Sequence, residues 1–372
     1  MNDSDSGLPC NYDPYVPTEQ LVLSVSYPII WAIGFPGNIL AMLIWMQKRM
    51  RHSSGYYLAA LALNDLLFLF LHVLYALETT FNVRVLAYPF LCQIYPMIYL
   101  STQYISPALV LAFTTERYIS ICHPFKRETY CTTRRAKTVV ACITAFYLLI
   151  NVPNLYFFTL EEGNDCRPRF DVLRGDPMGI YHINEIIVQT LGFFVVPLVI
   201  VVLNTLVISE MRRLSKTEQA QQGGSTNRAG STTIMLLVVS FYQIITTMPI
   251  SIVYLFYVFQ SIRQPESVCV VNFVQRMIFV YGITHYAFNI FIYLITGKLF
   301  RQQFKLLLLK PFTKLRSAIS KDYSSLSLSR GTSYHKSSET KAAVNTYVSV
   351  NGRDGGGATV GVVNDGKGDT QL

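Results

Sequence analysis

The sequence predicts an all-α membrane protein, a seven-transmembrane helix bundle with a short amphipathic helix on its inner surface. Of its 372 residues, 51% are hydrophobic and only 14% are charged, whereas soluble domains carry about 25% charged residues. Seven apolar stretches reach the ~20 residues that a helix needs to cross a bilayer. Helices are expected because a span in lipid must satisfy its own backbone hydrogen bonds. Spans 1 to 7 are predicted at residues 21–46, 56–77, 90–121, 138–158, 186–209, 232–259 and 277–296.

Span 3 is the least apolar of the seven predicted spans. Its polar residues would be costly to expose to lipid, because hydrocarbon offers them no hydrogen-bond partner. We therefore expect span 3 to lie centrally among the others. The polar residues are Gln93, Ser101, Thr102, Gln103 and Ser106.

The distribution of basic residues predicts the orientation of the chain. With these spans, 25 of the 31 Lys and Arg residues fall on one side of the membrane and 6 on the other. Short loops rich in Lys and Arg stay in the cytoplasm. We therefore expect a multi-pass protein of the plasma membrane, in contact with lipid, with its N-terminus outside. The net charge of +9 reflects this topology and does not indicate a nucleic-acid partner.

Four segments follow from this topology. Residues 1–20 are an extracellular tail without Lys or Arg, which does not fit a cleavable signal peptide. Residues 21–296 are the seven-transmembrane bundle, and residues 297–310 are predicted to form an amphipathic juxtamembrane helix. Residues 311–372 are rich in Ser and Gly and are predicted to be a disordered cytoplasmic tail. Asn2 begins a glycosylation sequon on the outer side.

Short motifs occur in order along the spans. They are Gly37-Asn38, Leu61-Ala62-Leu63-Asn64-Asp65, Cys92, Glu116-Arg117-Tyr118, Pro124-Phe125, Pro197, Pro249 and Asn289-x-x-x-Tyr293. Together this set resembles the rhodopsin-like (class A) G-protein-coupled receptors, over residues 20–305. The resemblance implies a receptor that binds an extracellular ligand and activates a heterotrimeric G protein.

The sequence also departs from the family pattern. Span 6 reads Thr246-Thr247-Met248-Pro249, span 7 has Ile290 where Pro is usual, and span 4 has no Trp. These departures concern the switch inside the bundle rather than its architecture. Residues 116–125, 212–216 and 286–298 look like invertebrate neuropeptide receptors, and the Thr-Thr-x-Pro of span 6 is similar to the CNMamide receptor group.

The resemblance implies a switch at the inner end of span 3. Glu116 and Arg117 are expected to pair in the inactive state, and Arg117 with Tyr118 to serve G-protein coupling once the pair opens. Simple positive-inside anchoring is the alternative for Arg117. Phe125, after Pro124, is expected to be an apolar knob that docks on the G protein. Packing of Phe125 against its own bundle is the alternative.

Asp65 is predicted to lie in mid-membrane, where inserting a charged group costs about 2.5–3.5 kcal/mol and a partner is expected. His285 lies one helical turn before Asn289, so we hypothesise an Asp65–His285 pair that replaces a cation. A neutral His285 in the helix packing is the alternative. The resemblance implies a polar switch around Asp65, with a sodium ion as cofactor, formed by Asn38, Ser106, Asn289 and Tyr293.

The cysteines predict up to two disulfides on the outer face. The resemblance implies a bond between Cys92, at the outer end of span 3, and Cys166 in outer loop 2. The oxidising outer compartment permits it. Cys10 and Cys269 are the other two outer cysteines, and this even number suggests a second bond between them.

The ligand class is predicted by exclusion. Tyr99 stands where the resemblance places an Asp in amine receptors, and span 7 lacks the Lys that binds retinal. A polar, aromatic mouth suits a short peptide, and the acidic outer face favours a basic one. A lipid or small-molecule receptor of the same fold remains an alternative, and a transporter is a weaker one. No catalytic constellation lies in the spans, so no enzyme is predicted. The candidate ligand-binding residues, each with helix packing as its alternative, are Tyr99, Gln103, His72, Gln189, Tyr254, Gln275 and Arg276.

Two features of the tail predict further partners. Hydroxyl residues between 324 and 340 would, when phosphorylated, suit a basic partner such as arrestin. The chain ends Thr370-Gln371-Leu372, a form that PDZ domains take by strand addition and carboxylate capture.

Overall fold

The computed structural model describes residues 16–160, 166–169, 180–220, 227–263 and 268–309. Predictions on Asn2, Cys10, the hydroxyl cluster, Thr370 and Leu372 fall outside these residues and stay predictions. The side chains of Tyr254 and Cys269 also lie outside the described part. The predicted Cys10–Cys269 bond and the contact of Tyr254 with ligand therefore remain predictions.

Seven helices are long and apolar enough to cross a membrane, which confirms the predicted seven-transmembrane bundle. The ends differ from the predicted ones by a few residues at most spans. Span 5 extends further than predicted, because polar helical turns continue beyond its apolar stretch, whereas span 6 ends at Val253 instead of residue 259. Spans 1 to 7 are Pro17–Trp45, Ser53–Thr79, Pro89–Cys122, Thr133–Phe157, Ile183–Thr217, Thr233–Val253 and Phe273–Thr296.

Several spans are interrupted or extended. The helices that build the seven spans are Val16–Trp45, Ser53–Thr79, Pro89–Cys122, Thr133–Ile150 with Asn154–Phe157, Ile180–Thr190 with Val196–Ala220, Asn227–Arg263, and Val268–Ile283 with His285–Thr296. A π-helical turn, Leu191–Val195, joins the two parts of span 5. The shorter helices between and after the spans are Lys48–Met50, Pro124–Tyr130 and 298–309.

Span 3 lies at the centre of the bundle, as its polar residues predict. It packs against spans 2, 4, 5 and 6, and 72% of its most apolar window is buried, against 17% for span 4. Span 4 instead exposes apolar side chains such as Phe146 and Leu149 on its outer surface. Span 3 therefore buries polar residues inside the bundle, whereas span 4 has an exposed apolar surface.

The helix at 298–309 is anchored to the inner end of the bundle. Phe300 is fully buried, and its ring lies 5.4 Å from that of Trp45 and 5.2 Å from that of Tyr293. Arg301 Nη1 donates to the carbonyl oxygens of Leu294 (3.0 Å) and Ile295 (2.6 Å), which belong to the last turn of span 7. This cation satisfies carbonyls that a helix end leaves unpaired.

A short hairpin lies after span 4. β1 (Phe158–Leu160) pairs antiparallel with β2 (Cys166–Pro168), and Leu160 lies opposite Cys166. A disulfide joins Cys166 to Cys92, with 5.5 Å between the two Cα atoms, as predicted. The bond ties this hairpin to the first turn of span 3, which holds the loop over one end of the bundle.

Candidate functional site

A cavity of about 480 Å³ opens between spans 1, 2, 3, 6 and 7 near the disulfide end. Four of its lining residues are aromatic, and four are residues predicted to bind the ligand: Tyr99, Gln103, Gln275 and Arg276. Gln189, also predicted, lines a second cavity that adjoins this one. Tyr99 Oη is buried and has no hydrogen-bond partner among the described atoms. The residues that line the outer cavity include Tyr27, Tyr75, Tyr99, Gln103, Gln275, Arg276 and Phe279.

A smaller cavity of about 150 Å³ adjoins the first one deeper in the bundle. The two share four lining residues, which shows that they are continuous. Three glutamine side chains, one each from spans 3, 5 and 7, face this inner cavity, and among its lining residues none is a Lys, Arg, Asp or Glu. The residues that line it include Gln103, Gln189, Gln275, Phe68, Phe193, His285 and Tyr286.

His72 does not line either cavity, which corrects its prediction as a ligand-binding residue. The side chain is fully buried, and its Nδ1 accepts a hydrogen bond of 3.1 Å from Trp31 Nε1. Its ring meets the edge of Tyr27 at 4.5 Å and stacks on Phe68 at 5.8 Å. His72 thus holds aromatic residues of the cavity wall from behind, in a helix-packing role.

The rim of the outer cavity carries an ion pair. Arg276 Nη1 lies 2.9 Å from Glu19 Oε1, and the arginine side chain is half exposed. One residue further along span 1, the side-chain amide of Gln20 donates to the carbonyl oxygen of Thr80. Sequence reasoning missed Glu19, because no local signal links two residues so far apart in the chain.

A buried polar cluster lies below the cavities and joins spans 2, 3 and 7. Asp65, fully buried, accepts hydrogen bonds from Ser106 Oγ (2.7 Å) and Asn289 Nδ2 (3.0 Å). Asn64 Nδ2 donates to Ser106 Oγ at 2.8 Å. Asn38 Nδ2 donates to the carbonyl of Tyr286 at 2.6 Å, which adds span 1. Of the residues predicted around Asp65, the structure thus joins Ser106 and Asn289 to its carboxylate, whereas Asn38 binds the backbone of span 7.

The predicted Asp65–His285 pair is wrong. His285 Nδ1 lies 2.6 Å from the carbonyl oxygen of Gly282, so this nitrogen carries the proton and donates. Nε2 lies 3.3 Å from Gln243 Nε2 of span 6 and accepts from that amide. Both ring nitrogens are therefore occupied away from Asp65, and the alternative of a neutral, packed His285 is the one the structure supports. Tyr293 likewise packs its ring against Trp45 at 5.5 Å.

Span 5 and span 6 are joined where proline removes a backbone hydrogen bond. Pro197 has no N–H, so it cannot donate to the carbonyl oxygen of Phe193, four residues earlier. Ser251 Oγ of span 6 donates to that oxygen at 2.7 Å. The π-helical turn lies just before Pro197, and Pro249, the proline inside the helix of span 6, lies two residues from Ser251. This contact between spans 5 and 6 therefore lies near a proline of each span, beside the inner cavity.

The inner end of span 3 forms a second polar cluster with the first turn of span 2. Glu116 Oε1 accepts hydrogen bonds from Ser53 Oγ (2.8 Å) and Ser54 Oγ (2.5 Å). Arg117 donates in turn to Ser54 Oγ. No direct ion pair within 4 Å joins Glu116 to Arg117 in the described part of the chain, so the predicted pair is corrected to one bridged by Ser54. Ser53 and Ser54 were missed, because two serines at a helix start look like ordinary caps.

Two titratable groups in the loops beside this cluster have shifted pKa values. Burial, and secondly the positive charge of Arg117, lowers the pKa of His52, which keeps the imidazole neutral. Burial raises the pKa of the Cys131 thiol, which lies 3.7 Å from the carbonyl oxygen of Glu116. Both groups therefore add no charge beside the guanidinium at neutral pH.

The second inner loop presents its helix outward. Phe125, in the first turn of Pro124–Tyr130, is 99% exposed, which excludes its packing on its own bundle. Tyr118 turns its ring to the edge of His123 at 5.5 Å. The ring of Phe125 is therefore accessible to another molecule.

The comparisons with known proteins agree with this geometry. The model of the family described as 7 transmembrane receptor (rhodopsin family) matches residues 37–293. The human neuromedin-U receptor 2 is 28% identical over 211 residues, which cover 55% of this chain and 50% of that receptor. The human thyrotropin-releasing hormone receptor is 31% identical over 185 residues, which cover 49% and 46%.

A relative from an insect is also similar. The FMRFamide receptor of Drosophila melanogaster is 27% identical over 230 residues, which cover 56% of this chain and 41% of that receptor. The chain thus spans about half the length of the curated relatives it matches. The family match, over residues 37–293, therefore covers most of the bundle and not only the short motifs.

Proposed function

Because the chain belongs to the rhodopsin family of seven-transmembrane receptors, a family of receptors rather than enzymes, we propose that it is a receptor for an extracellular neuropeptide that activates a heterotrimeric G protein. The observation that carries the proposal is a set of three polar sites inside one bundle of seven spans. They are the cavities near the disulfide, the cluster around Asp65, and the cluster around Arg117 at the other end of span 3.

The cavities support a peptide ligand. Their combined volume, about 480 Å³ and 150 Å³, is of the size that holds several side chains rather than one small amine. The aromatic wall offers apolar contact, and the three glutamines offer both donors and acceptors. A carboxamide is their natural partner, because one amide can donate to and accept from another. We therefore propose that the inner cavity takes an uncharged amide of the peptide, as at an amidated C-terminus. The relatives are named for the peptides neuromedin U, thyrotropin-releasing hormone and FMRFamide.

The inner face supports coupling to a G protein. In this structure Arg117 is held by Ser54, and Phe125 projects from the second inner loop. An outward movement at the inner end of span 6, hinged at Pro249, would open a groove beside Arg117. In that state Arg117 would contact the G protein, and Phe125 would dock on it.

The cluster around Asp65 also fits the sodium ion that the family implies. A hard monovalent cation prefers oxygen ligands, and Asp65, Ser106 and Asn289 supply carboxylate, hydroxyl and amide oxygens within one site. Asp65 is fully buried and is paired only by neutral donors among its hydrogen-bond partners. We propose that these three residues would hold the cation, which would supply the positive charge that His285 does not.

Further elements of the proposal concern the segments outside the described residues. We propose that the N-terminus is extracellular in the plasma membrane, with Asn2 glycosylated, and that the phosphorylated tail binds arrestin. A PDZ-domain protein would take Thr370 and Leu372. The excess of basic residues on the loops assigned to the cytoplasm supports this orientation.

Guanine-nucleotide exchange in membranes from expressing cells tests the proposal. The panel pairs amidated peptides, including neuromedin U, thyrotropin-releasing hormone and FMRFamide, with their free-acid forms and adds lipid ligands as a separate arm. We expect a peptide to stimulate exchange, its free acid to be at least about tenfold less potent, and Arg117→Ala to remove the stimulation while peptide binding remains. Stimulation by lipids alone would contradict the peptide assignment, and equal potency of the free acid would contradict the amide site.

A further inference from the structure

A buried carboxyl group in span 5 has no role in the function described so far. Glu185 is 8% exposed and lies within Ile183–Thr217, the segment that crosses the membrane. An acid inside a membrane span is costly, so it ordinarily has a functional partner. Among the described residues, no Lys or Arg lies within 4 Å of the carboxylate of Glu185, where such ion pairs are found for Glu19 and Glu210.

The neighbours of Glu185 place this carboxyl beside the ligand cavity. Gln189 lies one helical turn further along span 5, so its side-chain amide is a neighbour of the Glu185 carboxylate. Gln189 lines the inner cavity, whereas Glu185 is not among the lining residues. The amide oxygen Gln189 Oε1 is buried and has no hydrogen-bond partner among the described atoms. An amide oxygen therefore lies at the cavity wall, and a buried carboxylate lies one helical turn behind it.

This set of acceptors defines the chemistry of its partner. Buried acceptors without donors cost free energy, and a carboxylate costs more than a neutral group. A group that satisfies both must carry several N–H donors and a positive charge. A guanidinium meets this requirement, because it presents five donors in a planar fork and stays charged at every physiological pH.

We propose that Glu185 and Gln189 form a cation subsite that binds a guanidinium of the ligand, as on an arginine side chain. The subsite rests on the proposed function, in that it names a basic group on the peptide. It shares Gln189 with the inner cavity, whose other two glutamines, Gln103 and Gln275, take the uncharged amide. The ligand thus carries a basic side chain toward span 5 and a neutral amide toward span 7.

The thermal stability of the purified receptor, in the presence of small probes, tests the subsite without a known peptide. The probe is Nα-acetyl-argininamide, whose only charge is the guanidinium, and the control is the neutral citrulline analogue. We expect the arginine probe to raise Tm in a saturable manner, since a ligand that binds the folded state stabilises it. The apparent affinity should fall about thirtyfold or more in Glu185→Gln, in line with the loss of one buried charge pair.

Matched variants separate binding from folding. Glu210→Gln makes the same change on the same span, where the carboxylate instead lies 3.5 Å from Arg213, and it should bind the probe like the wild type. Glu185→Asp keeps the charge and should keep most of the Tm shift. The subsite is wrong if the wild type shows no shift, if Glu185→Gln binds equally well, or if the citrulline analogue binds as tightly. A receptor activated only by peptides without a basic group would also overturn it, yet would leave the proposed function intact.

Discussion

The two ends of the bundle differ in how their buried polar groups are satisfied. At the ligand end, Tyr99 Oη and Gln189 Oε1 are buried with no hydrogen-bond partner. At the inner end, Glu116 accepts from two serines and Ser54 also accepts from Arg117, while Arg117 Nε is one of the buried donors there without a partner. Buried polar atoms are rarely left unpaired without a reason. The ligand end thus leaves a hydroxyl and an amide oxygen of its cavity wall unpaired, whereas the inner end pairs its carboxylate within the bundle.

The largest effect is expected at the inner end, from the exposed side chain of Phe125. Phe125→Ala should lower peptide-stimulated nucleotide exchange at least about tenfold, because an exposed aromatic anchor often carries much of the affinity of an interface. Peptide binding and Tm should not change, since the ring contacts little of its own protein at 99% exposure.

Phe90→Ala is the matched control for this prediction. Phe90 is 73% exposed at the other end of span 3, so its loss makes the same change in chemistry far from the inner loops. Exchange should stay at the wild-type level in this variant. Equal loss of exchange in both variants, or a lower Tm in Phe125→Ala, would mean that Phe125 is not a docking residue.

The hydrogen bonds at the inner end predict a smaller effect in the opposite direction, an increase in ligand-free nucleotide exchange. Ser54→Ala removes the bridge between Glu116 and Arg117, and a hydrogen bond to a charged group contributes about 1.5–3 kcal/mol. If part of that free energy holds the inactive state, ligand-free exchange should rise about threefold to tenfold. The measurement is basal nucleotide exchange at matched surface expression.

Ser53→Ala sharpens this test. Ser53 binds Glu116 at 2.8 Å, but in this structure its hydroxyl does not contact Arg117. Its loss should therefore raise basal exchange less than the loss of Ser54. A larger effect of Ser53→Ala, or no change in Ser54→Ala, would show that the serine bridge does not restrain the receptor.

Much of the fold could be predicted because it depends on local properties of the chain. Length and hydropathy determine a span, and they located all seven helices within a few residues of their observed ends, apart from the longer polar extension of span 5. The polarity of span 3 predicted its central position for the same reason. The contact of Phe300 with Trp45 could not be predicted in this way, since it depends on the turn at Gly297.

The site was harder to predict where a pairing depends on the rotation of a helix. His285 lies one turn from Asn289 on the same span, yet it faces Gln243 of span 6 while Asn289 faces Asp65. The helix of span 7 is interrupted at Thr284, just before His285, and no residue pattern reveals this interruption. His72 was misassigned for a similar reason: its height in the bundle was right, but its side chain points behind the cavity wall.

The smallest effect is expected between the two ends, at the proline-linked contact of spans 5 and 6. Ser251→Ala leaves the carbonyl oxygen of Phe193 without its 2.7 Å donor, because Pro197 has no N–H to replace it. The unfolding free energy should fall by about 1 kcal/mol, the usual net contribution of a neutral hydrogen bond. Thermal unfolding in detergent should therefore show a lower Tm. Ser24→Ala, whose hydroxyl bonds Leu21 in an exposed turn of span 1, should leave Tm within error. If the two variants have the same Tm, this contact does not stabilise the junction, and spans 5 and 6 are free to separate at the hinge without first breaking it.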